Sequence, residues 1–188
     1  MTLGAIILAG GASSRMGADK GAMLWAGVRA VDRVAALARS VGALQIITVG
    51  ACDYGLPFVA DEPPLGGPVG AVAAGVAALL EAGHARALVL AVDAPTARPE
   101  DLAPLLAVQG GPGAAFEGLH LPMLIGAAAI PLDAQPDWPL ARLVERAGLR
   151  RLICPPEARD RLRGANTPNE RKRLLAALAA AESRARPA

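Results

Sequence analysis

The chain has 188 residues, of which 53% are hydrophobic and only 3% aromatic, and its formal net charge at pH 7 is +2. This length suits one domain with a sizeable core, and so small a charge does not support nucleic acid or an anionic membrane as a partner. The most apolar stretch, residues 69–80, is short for a bilayer span, and the N-terminus lacks the basic segment of a signal peptide. We therefore predict a soluble cytoplasmic protein that binds neither nucleic acid nor membranes.

The first predicted strand, residues 5–8, leads into a basic, glycine-rich loop. Gly10 and Gly11 break the strand, and consecutive backbone N–H groups at such a turn can converge on an anion. Arg15 and Lys20 add a guanidinium and an ammonium, which together suit a polyphosphate. Because the loop is neither a Walker P-loop nor the dinucleotide fingerprint, the pattern alone leaves two interpretations, a phosphate-binding loop and a plain Gly-Gly turn.

The elements that follow alternate between strands and helices. Apolar residues at the helical period predict a helix over residues 30–41, and apolar runs predict buried strands over residues 45–50 and 56–60. A second helix is predicted over residues 69–82, with Pro68 in its first turn. This order implies parallel strand pairing with right-handed crossovers, and so a mostly parallel sheet with helices on both faces.

Glycines surround the start of this second helix, at positions 66, 67 and 70. They follow a stiff, proline-containing segment that opens at Asp61. They either leave backbone N–H groups free to face a ligand or allow the helix to pack closely on the sheet. The sequence favours neither interpretation.

The strongest strand prediction covers residues 87–92, and this strand runs directly into Asp93. A carboxylate at the carboxyl end of a central parallel strand lies in the crevice where open α/β sheets bind ligands. Aspartate is also a hard oxygen ligand suited to Mg²⁺ that is shared with phosphates. The alternative is that Asp93 only begins a turn before Pro95. Its position after a fully apolar strand favours the metal interpretation.

The second half of the chain carries weaker signals. Its predicted elements are a helix that opens at Pro99, a hairpin of residues 114–117 and 119–125, a helix over residues 140–147, a strand through Ile153 and a final helix to Glu182. Residues 183–188 are predicted to be a frayed tail. His120 is interpreted as an ordinary hairpin residue, whereas Arg150 and Arg151 either lie solvated on the surface or face an acceptor phosphate.

Capping signals mark the start of the final helix. Thr167 and Glu170 predict a capping box, and Pro168 suits the first helical position. Capping explains these three residues and leaves Asn166 unexplained.

Cysteine and histidine usage gives no sign of a metal centre. Cys52 and Cys154 are far apart and form no C-x-x-C pair, which argues against a structural zinc site and, in a reducing compartment, against a disulfide. His84 and His120 are isolated in the same way.

The string from Leu8 to Lys20 reads LAGGASSRMGADK and resembles the signature L-A-G-G-x-S-x-R-M-G-x-D-K of the molybdenum cofactor guanylyltransferases. Three later strings are similar to motifs of that family and keep its order. They are the segment after Asp61, similar to a P-L-x-G motif, residues 93–95, similar to a D-x-P motif, and residues 166–170, similar to an N-x-N-T-P-E motif. The resemblance covers nearly the whole chain and is thinnest between residues 110 and 164.

This resemblance implies one three-layer, Rossmann-like α/β domain of the nucleotide-diphospho-sugar transferase type over residues 1–182. It implies transfer of GMP from GTP to the phosphate of molybdopterin that bears molybdenum, with release of pyrophosphate and with Mg²⁺ as cofactor. The expected small-molecule partners are GTP and molybdopterin. The protein is expected to be a monomer or a weak homo-oligomer, in transient contact with proteins that build or receive the cofactor.

The same resemblance assigns roles to individual residues. Lys20, together with Leu8, Ala9, Gly10 and Gly11, is expected to hold the nucleotide phosphates. Arg15 is expected to meet the charge that builds on the pyrophosphate. Asp93 is expected to hold Mg²⁺, Asp61 to fix the guanosine end, and Asn166 to lie near the nucleotide and the metal.

The sequence departs from the family pattern at three places, of which the first two put the choice of nucleotide in question and the third puts a role for His120 in question. Residues 49–51 lack the base-proximal Asn that the family carries after the second strand, Gly164 replaces the first Asn of the last motif, and Leu121 interrupts a His-Pro dipeptide. A molybdopterin cytidylyltransferase is therefore the close rival, although Gly10-Gly11 and residues 19–21 look more like the guanylyl branch. A non-catalytic nucleotide-binding module and a sugar-phosphate nucleotidyltransferase are two further candidates.

Overall fold

The structure is a computed structural model and describes residues 2–10, 19–60 and 66–185. Its strands, in chain order, are β1 (Leu3–Leu8), β2 (Leu24–Trp25), β3 (Val28–Arg29), β4 (Gln45–Gly50), β5 (Phe58–Ala60), β6 (Arg86–Ala91), β7 (Gly113–Phe116), β8 (Met123–Gly126) and β9 (Arg150–Leu152). Its helices are α1 (Ala30–Ser40), α2 (Pro68–Glu81), α3 (Pro99–Leu106), α4 (Leu140–Arg146), α5 (Pro156–Arg163) and α6 (Pro168–Ala185), with a short 3-10 helix at Ala127–Ala129.

Seven of these strands form one sheet in the order β5-β4-β1-β6-β8-β7-β9. Strand β1 pairs in parallel with β4 and β6, β4 pairs in parallel with β5, and β7 pairs in parallel with β9. Strand β8 is antiparallel to both of its neighbours, β6 and β7. The predicted mostly parallel sheet is therefore confirmed, as is the antiparallel hairpin that β7 and β8 form.

Helices cover both faces of the sheet, because the central strands are apolar on both faces. Successive strand side chains point to opposite faces: Ile7 belongs to the core under α1, α3, α5 and α6, whereas Ile6 belongs to the core under α2 and α4. Both side chains are 0% exposed. The same alternation divides Leu90 from Val89 on β6. The three layers of the prediction are thus present.

The register of the central strands gathers their carboxyl ends at one edge of the sheet. Leu8 at the end of β1 lies beside Val49 on β4 and beside Ala91 on β6. The residues that follow these strands, Gly10 and Asp93 among them, therefore emerge side by side.

Three structural features differ from the sequence-based predictions. Strands β2 and β3 form a hairpin whose turn residues, Ala26 and Gly27, both have positive φ angles of 49° and 82°. The Ala-Gly pair predicts a turn, which is confirmed, but it lacks the Asn-Gly or Asp-Gly signal that would have predicted a hairpin. Helix α5 was not predicted, and α6 continues to Ala185. Residues 183–185 are therefore helical rather than part of a frayed tail.

Helix α5 is held to α3 by a buried ion pair. Arg161 donates from Nε to Asp101 Oδ2 at 2.8 Å and from Nη2 to Asp101 Oδ1 at 2.5 Å. Asp101 is 4% exposed, and it also accepts the backbone N–H of Arg98 at 3.0 Å. Because the helix is mostly polar, this pair and the apolar Ala158 and Leu162 fix it to the core. Two apolar residues one turn apart are too few to predict a helix from the sequence.

The glycines around the start of α2 serve close packing. The N–H of Gly70 donates to the carbonyl of Pro136 at 3.2 Å, and a Cβ on Gly67 would overlap that same carbonyl oxygen. A Cβ on Gly75 would lie 2.9 Å from the Cδ1 of Ile6 on β1. Gly67 and Gly70 therefore allow close packing against Pro136, in the segment before α4, whereas the close approach of the helix to the sheet is at Gly75.

Among the described helices, none is both long enough and apolar enough to cross a membrane. Cys52 is exposed, Cys154 is buried, and both are free thiols. These two residues therefore form no disulfide with each other.

Candidate active site

Three residues that the sequence singled out meet at the carboxyl edge of the sheet. The Lys20 ammonium donates to Asp93 Oδ2 at 3.0 Å and to Asn166 Oδ1 at 3.1 Å, across separations of 73 and 146 residues in the chain. The side chains of Lys20 and Asp93 are 25% and 22% exposed. The place where the three side chains meet therefore carries charge, and it is exposed enough for a ligand to reach it from solvent.

Lys20 is positioned by a turn that Asp19 holds. Asp19 Oδ1 accepts the N–H groups of Gly21 at 2.8 Å and of Ala22 at 3.4 Å, together with the phenolic O–H of Tyr54 at 2.6 Å. Burial, followed by the hydrogen bond to Asp19, raises the pKa of Tyr54, so its hydroxyl remains a donor to the carboxylate. Tyr54 lies on the loop after β4, and no sequence pattern distinguished it.

Asp93 is positioned by backbone contacts on both sides. The N–H of Val92 donates to the carbonyl of Leu8 at 3.1 Å, and the N–H of Ala165 donates to the carbonyl of Asp93 at 3.0 Å. Gly164 has φ 73° and ψ −171°, a region that essentially only glycine adopts. A Cβ at this position would also overlap the Asp93 carbonyl oxygen. This contact explains why no asparagine stands at position 164.

We expect Gly164→Ala to lower the free energy of unfolding by about 3 kcal/mol, the upper end of the cost of a strained backbone conformation, because alanine is strained at this φ and its Cβ would also overlap the Asp93 carbonyl. Denaturant unfolding measures the change. The matched control is Gly148→Ala, because Gly148 also has a positive φ (63°) but nothing lies within 4 Å of its would-be Cβ, so only about 1 kcal/mol is expected. Equal losses in the two variants would show that the approach to Asp93 is unimportant.

Asn166 is held by the cap of α6. Thr167 Oγ1 accepts the N–H of Glu170 at 3.2 Å, and Glu170 Oε2 accepts the N–H of Asn166 at 2.9 Å. The hydrogen bond from Asn166 is the main cause of a lowered pKa for Glu170, with Thr167 and Arg163 adding to it. The predicted capping pair is present, with its carboxylate reaching one residue further back than expected. It fixes the backbone of Asn166 while the side chain faces Lys20.

The described part of the glycine-rich loop packs directly on β4. The N–H of Ala9 donates to the carbonyl of Val49 at 2.8 Å, and a Cβ on Gly50 would lie 2.7 Å from both Ala9 C and Gly10 N. The absence of a side chain at position 50 is therefore a packing requirement of this loop. Three other predicted site residues, Gly11, Arg15 and Asp61, lie outside the described residues.

Comparison of the sequence with known protein families shows which family the chain belongs to. The sequence profile of the MobA-like NTP transferase domain matches residues 5–186. The chain belongs to the MobA-like NTP transferase family. Family membership thus agrees with the resemblance seen in the first loop.

One relative and two solved structures illustrate this membership. The molybdenum cofactor guanylyltransferase of Xanthomonas euvesicatoria pv. vesicatoria (strain 85-10) is 36% identical over 121 residues, which are 64% of this chain and 62% of that protein. A nucleotidyl transferase from Methanothermobacter thermautotroptrophicus has a TM-score of 0.70 at 20% identity, covering 94% of this chain and 99% of that chain. Molybdopterin-guanine dinucleotide biosynthesis protein A from Archaeoglobus fulgidus has a TM-score of 0.66 at 19% identity, covering 95% and 99%. Structural similarity at such low sequence identity confirms that the chain has the fold of these nucleotidyltransferases.

The oxygen donors at the junction suit a magnesium ion in this MobA-like protein. Asp93 and Asn166 supply a carboxylate and an amide oxygen that converge on one cation, which here is the ammonium of Lys20. Mg²⁺ typically takes one or two protein carboxylates together with substrate phosphates. Within the described residues no three His, Cys, Asp or Glu side chains converge on a common point, so the donor set fits an ion shared with a nucleotide.

Two arginines of this MobA-like protein connect the segments of the site, and no sequence signal marks either of them. Arg33 on α1 donates to the carbonyls of Pro95 and Trp25, at 3.3 Å each. Arg171 on α6 donates to the carbonyl of Leu24 at 2.8 Å. The β2–β3 hairpin is therefore bonded both to the segment after Asp93 and to the helix after Asn166.

His120 takes no part in the junction of Lys20, Asp93 and Asn166. Burial, followed by the positive charge of Arg151, lowers the pKa of His120, which favours a neutral imidazole at pH 7. Its buried Nδ1 has no hydrogen-bond partner among the described residues. Arg151 itself donates to the carbonyl of Phe116 at 3.5 Å.

Proposed function

We propose that this protein is a magnesium-dependent nucleotidyltransferase that transfers GMP from GTP to the phosphate of molybdenum-bearing molybdopterin. The observation that carries the proposal is the junction of Lys20 with Asp93 and Asn166, where one cation lies between two oxygen ligands at the carboxyl edge of the sheet. Membership of the MobA-like family supports the reaction type. The name of the Xanthomonas relative, molybdenum cofactor guanylyltransferase, supports guanylyl transfer connected with the molybdenum cofactor.

The proposed reaction is an in-line displacement at the α-phosphorus of GTP. An oxygen of the acceptor phosphate forms a bond to that phosphorus, the bond from the α-phosphorus to the bridging oxygen breaks, and pyrophosphate leaves with the electron pair. The work of the protein in such a reaction is positioning and charge neutralisation. No covalent intermediate with a side chain is needed.

Asp93 and Asn166 are the residues that would hold Mg²⁺. The ion, when bound, supplies positive charge against the triphosphate. Because Lys20 and Mg²⁺ are both cations suited to the same two oxygens, Lys20 gives up these oxygens in the loaded enzyme and directs its ammonium to the phosphates. Arg15 and Asp61, outside the described residues, are proposed by the family resemblance alone to contact pyrophosphate and guanosine.

A cytidylyltransferase acting on the same pterin is the second candidate. It is a candidate because two polar side chains of the family pattern are missing, one within residues 49–51 and one at position 164. Side chains at Gly50 and Gly164 would overlap the backbone of Gly10 and of Asp93. Base recognition then depends more on backbone groups. We infer weaker discrimination among nucleotides, rather than a changed preference.

We expect GTP to be preferred over CTP and ATP by roughly 10- to 100-fold in kcat/KM, because a site whose buried polar groups match guanine leaves them unpaired with another base. The measurement is pyrophosphate release with each nucleotide, Mg²⁺ and a common molybdopterin acceptor. Omitting molybdopterin provides the control, since release without acceptor reports hydrolysis.

Each other outcome selects a different function. A higher kcat/KM with CTP replaces the guanylyl assignment by the cytidylyl one and leaves the roles of Lys20 and Asp93 intact. Tight nucleotide binding without pyrophosphate release under any condition identifies a binding module instead of an enzyme.

A further inference from the structure

We propose that Arg171 is a positioning residue that fixes the segment carrying Lys20 beside Asp93 and Asn166, by bonding the start of α6 to the β2–β3 hairpin. The catalytic meaning of this role rests on the proposed function. The geometry can be tested without any nucleotide.

Arg171 contacts both residues of β2. Its Nη2 donates to the carbonyl of Leu24 at 2.8 Å, and its guanidinium lies 5.6 Å from the centre of the Trp25 ring. A guanidinium within about 6 Å of an aromatic face is attracted to it. Trp25 is 2% exposed, so its ring is fixed in the core beside the guanidinium.

The hairpin in turn determines where Lys20 lies. Only three residues separate Lys20 from Leu24. The carbonyls of Gly21 and Met23, within that segment, accept N–H groups from the first turn of α1 at 3.1 and 2.9 Å. The segment therefore has little freedom to move independently of the hairpin, and a displaced hairpin displaces Lys20.

The other end of the connection lies beside Asn166. The N–H of Arg171 donates to the carbonyl of Thr167 at 3.0 Å, and the adjacent Glu170 accepts the N–H of Asn166 at 2.9 Å. Arg171 and Asn166 are therefore fixed to the same helix start. Arg171 thereby connects the two sides of the 3.1 Å hydrogen bond between Lys20 and Asn166.

A contribution to local stability does not by itself explain why position 171 is an arginine. Its Nε is buried and has no hydrogen-bond partner among the described residues, and an unpaired buried donor is unfavourable. A smaller apolar residue would avoid that cost, but it could not donate to Leu24 and lie over Trp25 at once.

The sequence provides a direct probe, because Lys20 and Lys172 are the two lysines of the chain. Lys172 is exposed on α6 and serves as an internal reference. In protein labelled with ¹³C at lysine Cε, we expect the Lys20 signal of the nucleotide-free wild type to be displaced from that of Lys172. In Arg171→Met we expect it to lose that displacement, while a melting curve reports the folded state.

Two further variants make the experiment decisive. Arg173→Ala is the matched control, since Arg173 forms an exposed pair with Asp160, with side chains 65% and 63% exposed, and should leave the Lys20 signal unchanged. Arg171→Gln keeps one donor for the Leu24 carbonyl and should restore part of the displacement, and it also tests the proposal should Arg171→Met fail to fold. A Lys20 signal that is unchanged in both Arg171 variants overturns the proposal.

Turnover separates this inference from the proposed function. If the wild type transfers GMP, Arg171→Met should lower kcat/KM by roughly ten-fold, as expected for a residue coupled to Lys20, and Arg173→Ala should not. A wild type without turnover, combined with loss of the Lys20 displacement in Arg171→Met, refutes the function and leaves the positioning role standing. Normal turnover in a well-folded Arg171→Met that has lost the Lys20 displacement overturns the catalytic meaning of the contact and leaves the proposed function standing.

Discussion

Lys20→Ala is expected to lower nucleotidyl transfer by about 100-fold or more, since removing one preorganised charge from a transferring phosphate has an effect of this order. The fold should survive, because the ion pair of Lys20 with Asp93 is partly exposed and such pairs contribute only about 0–1 kcal/mol to stability. Pyrophosphate release and thermal unfolding are the two measurements.

Lys172→Ala is the control for that variant. It removes the other lysine, which is exposed on α6 and takes no part in the junction, so turnover and melting temperature should both stay near wild-type values. Should Lys20→Ala turn over at a near wild-type rate with a normal melting curve, Lys20 has no part in the chemistry.

Asp93→Asn is expected to fold normally and to lose Mg²⁺-dependent turnover by about 100-fold or more. Asparagine keeps the shape of the side chain and an oxygen for Lys20 but lacks the negative charge that binds a divalent cation. The backbone carbonyl of Asp93 still accepts the N–H of Ala165, so the local structure has no cause to change. A magnesium titration of the residual activity should show a raised requirement.

The alternative for Asp93 is a residue that only begins a turn. On that account the variant keeps its activity at ordinary magnesium concentration and melts at a lower temperature. Asp160→Asn is a suitable control, because Asp160 is an exposed carboxylate on α5 that pairs only weakly with solvent-exposed Arg173.

Much of the scaffold was predictable because its signals are local. The runs at β1, β4 and β6 are continuous and apolar, as strands buried on both faces must be, and the predicted bounds of β4 match those observed. The helical period of α1 and the capping residues of α6 are likewise carried by neighbouring positions. The division into one domain over residues 1–182 stays a prediction.

Elements held by distant contacts were not predictable in this way. Helix α5 depends on the pairing of Arg161 with Asp101, 60 residues earlier, and its two buried apolar residues are too few to establish a helical period. The Ala26-Gly27 pair predicts a turn, but the two-residue strands of the β2–β3 hairpin are too short to show an alternating pattern. Their stability comes from partners that the neighbouring sequence does not indicate.

The sequence by itself determined the main strands and helices, the family, and the identities of Lys20, Asp93 and Asn166, because hydrophobic period and motif spacing are properties of neighbouring residues. Only the tertiary structure decided that these three side chains meet within hydrogen-bonding distance, since strand register and helix packing bring them together across 73 and 146 residues. The same packing decided the roles of Gly164 and Arg171. Their importance lies in a backbone contact and a carbonyl far away in the chain, and neither leaves a pattern in the sequence around it.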